Sequence, residues 1–202
     1  MIKKYIKRMI KGWTLGIDKT ALGVAGVELE FLMNHVPSNS VVMEIGCGHG
    51  QTTRRFSDKG NKVYAIDPFL PHKDSKLLMG ENPKHIRNTF LKNTIGRDVK
   101  HYYMTSEKAL DNYDETKLDF IFIDAEHTYK ALEIDVKWLN YLKKDGLVAF
   151  HDCTLPEVNN FLVKNIFPKY EFMGSRESTF IFKKSGEDNE KFRNWINTST
   201  TS

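Results

Sequence analysis

Short apolar runs separated by stretches of mixed polarity alternate along most of this chain. Val41 to Ile45, Lys62 to Ile66, Val99 to Met104, Leu118 to Ile123 and Gly146 to Phe150 are too short for helices and are bounded by turn residues, so they read as buried strands. The segments from Gly50 to about Lys59, Pro83 to Ile95, Ser106 to Tyr113, about Thr128 to Leu142 and Leu155 to Phe167 read as the intervening helices. Two last β runs, Tyr170 to Met173 and Thr179 to Lys183, lie around Gly174-Ser175-Arg176 and predict an antiparallel hairpin. The pattern implies a doubly wound, Rossmann-like α/β sandwich.

Ahead of the first strand, Val24 to Met33 reads as a helix closed by Pro37 and the Ser38-Asn39-Ser40 turn. Further upstream, Ile2, Tyr5, Ile6, Met9, Ile10 and Trp13 recur at helical spacing, with five basic and no acidic residues between Met1 and Lys11. Such a basic amphipathic helix suits an anionic membrane surface, a dimer mate or its own domain. Phe69 to Glu81, rich in Pro, Lys, Asp and Gly, reads as a mobile loop or lid, and the polar residues from Ser185 onward as a frayed tail. The expected organisation is N-terminal helices over residues 1–36, one domain over 37–184 and a tail over 185–202.

Composition narrows this picture only modestly. The 202 residues are 40% hydrophobic and 28% charged, as in an ordinary globular protein, and the net charge of +4 does not call for a nucleic-acid partner. No apolar run is long enough to span a membrane, and the lysines interrupting the N-terminus do not fit a secretory signal, which suggests a cytoplasmic protein. Cys47 and Cys153 fall on strands with a third strand between them, about 9–10 Å apart at normal strand spacing, too far for a disulfide.

Ligands in doubly wound folds bind beyond the carboxyl ends of the strands, and that is where the polar residues of this chain gather. The first strand runs into Gly46-Cys47-Gly48-His49-Gly50, preceded by Glu44; the second ends at Asp67; Thr105 and Ser106 follow the third; Asp124 to His127 follow the fourth; and His151-Asp152 follow the fifth. Glycines after a strand let the backbone turn tightly and approach a ligand. A nicotinamide fingerprint requires a third glycine where Gln51 stands, and no Gly-Lys-Ser/Thr of a phosphate loop is present.

Glu44-x-Gly46-x-Gly48-x-Gly50, Asp67 and Asp124 at these positions resemble the class I S-adenosylmethionine-dependent methyltransferases, whose seven-stranded, mostly parallel sheet ends in an antiparallel hairpin. The resemblance implies that Gly46 and Gly48 make room for the methionine part of the cofactor and that Asp67 accepts hydrogen bonds from the ribose hydroxyls. Ser106 would lie by the adenine, with Glu44 and Asp124 completing the cofactor site. A narrower resemblance rests on Ile123-Asp124-Ala125-Glu126-His127-Thr128-Tyr129, Asp135, Gly146 and Phe150-His151-Asp152. These look like the branch that holds macrocin-type sugar O-methyltransferases and the proteins named cephalosporin hydroxylases. By that likeness Asp124 and Asp152 hold a divalent cation, Mg²⁺ or Mn²⁺, His127 is the base, and the acceptor is a hydroxyl of a sugar, a glycan precursor or another small molecule. His151 stands where the branch has a carboxylate, and is either a third metal ligand or a residue that orients Asp152 or hydrogen-bonds a backbone carbonyl.

Simpler roles exist for each residue: Asp124 as a helix cap, His127 as a surface residue, Asp135 as a structural hydrogen-bonding group, Tyr129 as core or pocket wall. Other functional classes are a metal-dependent hydroxylase built on His127, His151 and Asp152, a nucleic-acid methyltransferase and a non-catalytic cofactor-binding module. The hydroxylase leaves the glycine loop without a purpose. The nucleic-acid enzyme lacks here the Pro-Pro-aromatic motif after the fourth strand.

Overall fold

The computed structural model describes Val24, residues 26–70 and residues 82–185. The basic N-terminal helix, most of the expected lid and nearly all of the tail lie outside the described residues. Seven strands form one sheet: β1 (Val41–Ile45), β2 (Lys62–Ile66), β3 (Val99–Tyr102), β4 (Leu118–Ile123), β5 (Leu142–Phe150), β6 (Glu171–Arg176) and β7 (Thr179–Lys183). Their order is β3-β2-β1-β4-β5-β7-β6, with β7 antiparallel to both of its neighbours and the other pairs parallel. The doubly wound sandwich and its closing hairpin are therefore as the sequence implies.

Strand alternation sorts the core into two layers. Val42, Phe120, Phe122, Ala149 and Ile181 face one side, where they meet Leu32 of α1 (Gly26–His35) and Phe56 of α2 (Gln51–Asp58). Phe56 is fully buried, its ring set edge-on to Phe120 and Phe122 at 6.0 Å from each. On the same side α3 (Pro83–Thr94) packs Ile86 and Phe90 against Ala65, Cys47 and Phe69. The opposite side of the sheet is covered by α4 (Ser106–Leu110), α5 (Tyr129–Asp135) and α6 (Pro156–Asn165).

Local chemistry explains where the helices begin. Asn82 caps α3, accepting from Lys84 N, with Pro83 in the first turn; Thr105 and Thr128 cap α4 and α5 in the same way. Gly50 precedes α2 in the left-handed conformation, at φ 76°.

Some boundaries differ from the sequence reading. The helix expected through Leu142 gives way after Asp135 to a 3-10 turn, Val136–Asn140, which draws the indole of Trp138 into the core. Strand β5 starts at Leu142, before the expected Gly146, and its register with β4 jumps between Leu118↔Leu142 and Phe120↔Leu147. The charged Lys143-Lys144-Asp145 segment interrupts the apolar run there, which hid the early start. In the hairpin the turn is Glu177-Ser178; Gly174, at φ 151°, marks a register shift inside β6. The glycine accommodates a bulge, not the reversal.

Because Phe56 is the buried wedge between α2 and the central strands, Phe56→Ala should lower stability by about 3–5 kcal/mol, read as a reduced urea midpoint with a nearly unchanged slope.

Candidate active site

Main-chain hydrogen bonds extend the parallel pairing one residue past the strand ends. Asp67 N donates to Tyr102 O, Gly46 N to Ile66 O, Asp124 N to Ile45 O and His151 N to Ile123 O, at 2.8–3.2 Å. This ladder aligns Asp67, Gly46, Asp124 and His151 along one edge of the sheet. The order reverses between β1 and β4, so the crevice expected of a doubly wound fold opens at Gly46 and Asp124.

Gly46, at φ 87°, has no room for a side chain: a Cβ there would lie 2.0 Å from the Asp124 carbonyl oxygen. Its missing side chain thus serves the close approach of β1 and β4, whereas the Cβ direction of Gly48 is open. Gly48 N donates to Asp67 Oδ2 at 2.9 Å, and Phe69 N donates to Oδ1 at 2.7 Å. Two main-chain donors therefore fix the Asp67 carboxylate.

Glu44 is buried at the end of β1 and accepts a hydrogen bond from Thr53 Oγ1 in the first turn of α2. Burial holds its pKa well above the carboxylate range against the Thr53 bond, and the charges of Asp124 and Asp67 push the same way. A bound cation would relieve that repulsion. Ser106 is engaged inside the protein: Trp138 Nε1 donates to its hydroxyl at 2.8 Å. Asp135 is buried on α5. Burial lifts its pKa to about 6.

Asp124, His127, His151 and Asp152 converge at the ends of β4 and β5. His151 Nδ1 lies 2.9 Å from Asp124 Oδ1 and 3.3 Å from Asp152 Oδ2. His127 Nε2 lies 2.9 Å from the same Asp152 oxygen, an ion-pair contact in which the ring N–H is not aligned for a good hydrogen bond. Asp152 itself sits at φ 52°, a left-handed conformation that aspartate tolerates better than most side chains. Asp124 is not a helix cap, since Thr128 fills that position in α5. Tyr129 belongs to the packing of α5 on α6, its ring edge-on to Phe161 and its hydroxyl accepting from Asn165.

Electrostatics within the cluster are strongly coupled. Burial of the His151 ring opposes its protonation, but the Asp124 charge and bonds to Asp124, Asp152 and Glu28 overcome this and raise its pKa far above the ordinary range. Burial likewise works against the Asp152 carboxylate, yet His127 and His151 hold its pKa well down. His127 is raised, first by its contact with Asp152. The residue that sequence reasoning missed is Glu28 of α1, whose Oε2 lies 3.5 Å from His151 Nε2. Its only sequence signal is an acid placed four residues before the buried Leu32, on the inward stripe of α1.

The potential donor atoms of Asp124, His151 and Asp152 all lie within 4.8 Å of one another. Two carboxylates and one imidazole on adjacent strand ends can hold a divalent cation of the Mg²⁺ or Mn²⁺ type.

A family model described as a methyltransferase domain matches residues 43–153, more than half of the chain. The chain belongs to this methyltransferase family. With its sheet order and glycine loop, the protein is a class I methyltransferase whose cofactor is S-adenosylmethionine. No curated protein sequence matches it. Among solved structures it is similar to CalS11, a calicheamicin methyltransferase also described as a TDP-rhamnose 3'-O-methyltransferase, at 14% identity and a TM-score of 0.58, covering 92% of this chain and 93% of that one. It is also similar to an rRNA methylase from Streptococcus thermophilus, at 16% identity and a TM-score of 0.56, covering 82% and 99%. A Streptococcus mutans protein solved with S-adenosylhomocysteine gives a TM-score of 0.56 at 14% identity, with the same coverages. At such identities the likeness is one of fold. Among the described residues of the methyltransferase, no helix is long and apolar enough to cross a membrane.

The raised Asp135 pKa makes a pH-dependent prediction. The unfolded carboxyl ionises near pH 3.9 and the folded one near 6, so a stability cost develops as pH rises through that interval and persists above it. Asp135→Asn, which removes the buried charge at nearly constant size, should stabilise the protein by on the order of 1–3 kcal/mol at pH 8, and the gain should vanish near pH 4 in parallel urea titrations.

Proposed function

We propose that this methyltransferase transfers the methyl group of S-adenosylmethionine to a hydroxyl of a sugar, a glycan precursor or another small molecule, assisted by a divalent cation. The observation that carries the reading is the convergence of Asp124, His127, His151 and Asp152 beside the Gly46–Gly50 loop at the sheet's switch point. Asp67 is assigned to the ribose hydroxyls, because its carboxylate is fixed at the end of β2 beside the glycine loop and a carboxylate is an acceptor suited to a diol. The open side of Gly48 is assigned to the methionine part of the cofactor, and the acidic surroundings of the loop suit its positive sulfonium. Ser106 is assigned to the adenine end through its place at the start of α4, with its hydroxyl already held by Trp138.

An alcohol is a weak nucleophile at neutral pH. In this reading His127 takes the acceptor's proton as the oxygen–methyl bond forms and the methyl–sulfur bond breaks, leaving S-adenosylhomocysteine. With Nε2 against Asp152, Nδ1 is the nitrogen left to receive that proton, and the carboxylate stabilises the imidazolium that results. Asp124, Asp152 and His151 would hold the cation, which when bound would orient acceptor oxygens and lower the cost of deprotonation. An RNA acceptor is the competing reading, on the likeness to the rRNA methylase.

Calorimetric titration with S-adenosylhomocysteine should show binding by the wild type and at least a tenfold weaker response from Asp67→Ala; a wild type that binds no cofactor product would overturn the reading. His127→Ala should lower kcat by about 10²–10⁴-fold while leaving product affinity unchanged. Turnover of nucleotide sugars and simple glycosides should stop when a chelator is added and return with Mn²⁺ or Mg²⁺. Methylation of RNA alone would assign the acceptor elsewhere.

A further inference from the structure

Glu28 sits outside every strand end that forms the site, yet its carboxylate is directed into it. It is buried on α1, and Oε1 accepts three hydrogen bonds from the β6–β7 turn: from Ser178 N at 3.0 Å, Ser178 Oγ at 2.8 Å and Thr179 Oγ1 at 2.8 Å. With Oε1 so committed, Oε2 is left facing His151 Nε2 at 3.5 Å. Ser178 Oγ lies 3.2 Å from the same nitrogen. Since this hydroxyl gives its hydrogen to Glu28, what it presents to His151 is a lone pair. Both groups around Nε2 are therefore acceptors, and both depend on Glu28.

We propose that Glu28 is a positioning residue: it holds the Nε2 hydrogen of His151, so that a divalent cation entering between Asp124 and Asp152 can replace the proton on Nδ1 and be ligated there. This rests on the metal-assisted reading above. An imidazole that ligates through one nitrogen needs an acceptor at the other to fix its tautomer and ring orientation, and loss of such a partner costs about 10–100-fold in metal affinity. Asp152 cannot serve that purpose, because its own oxygen lies on the Nδ1 side of the ring.

The test uses Glu28→Gln. Its amide oxygen can keep the three bonds from Ser178 and Thr179, which places the NH₂ group opposite Nε2 and turns an acceptor into a donor. Mn²⁺ affinity of the purified full chain, measured by calorimetry without acceptor, should fall at least tenfold in Glu28→Gln, with thermal unfolding and S-adenosylhomocysteine affinity close to wild type. Ser178→Ala should weaken Mn²⁺ binding in the same direction. If Glu28 is only a structural tie between α1 and the hairpin, Glu28→Gln will bind Mn²⁺ like the wild type while Glu28→Ala loses stability, and the proposal fails. A wild type that binds cofactor product but no Mn²⁺ or Mg²⁺ would instead remove the metal reading and this inference with it, leaving the methyltransferase assignment intact.

Discussion

Everything at the reactive edge of this sheet depends on how closely β1 and β4 approach at Gly46. The Asp124 carbonyl occupies the space where a Cβ would stand, and Asp124 N bonds back to Ile45 O. These two contacts fix the end of the strand that presents the Asp124 carboxylate and, through His151 N on Ile123 O, the end of the next one. A side chain at Gly46 would separate the glycine loop from the cluster of Asp124, His127, His151 and Asp152. One glycine thus sets the distance between the loop and the cluster, and in the proposed reaction this is the distance that methyl transfer needs to be short and fixed.

Around that junction, charge is arranged as alternating layers. The acidic groups Glu44, Asp67 and Asp124 surround the glycine loop, and the imidazoles of His127 and His151 lie between Asp124, Asp152 and Glu28. A buried cation would be costly if unpaired, but His151 meets an oxygen at each nitrogen. The cluster is consequently stable as an array and sensitive to the loss of any member. Ser106, Trp138 and Asp135 form a second buried polar group below α4, at a distance in sequence that reflects only the packing of the 3-10 turn.

The sheet and the strand-end residues were legible in the sequence because period-2 apolar runs and glycine-acid endings are local signals. Asp67, Asp124, His127, His151 and Asp152 could each be picked out from the residue just beyond a strand. What was not legible was long-range. The 3-10 turn after Asp135 depends on burying Trp138, and the true hairpin turn at Glu177-Ser178 was masked by a glycine that serves a bulge. Nor could the sequence show that the protein's own backbone fills the Cβ space of Gly46. Glu28 could not be paired with His151, since no periodicity links positions so far apart in the chain.

The bonds from Ser178 and Thr179 to Glu28 also bear on synthesis, because a helix near the start of the chain is tied to almost the last strand. Domains emerge from the ribosome N-terminus first. The Glu28 carboxylate must then wait, buried or solvated, for partners that are translated about 150 residues later. The surroundings of His151 are therefore completed only when the last described strand and the turn before it have been made.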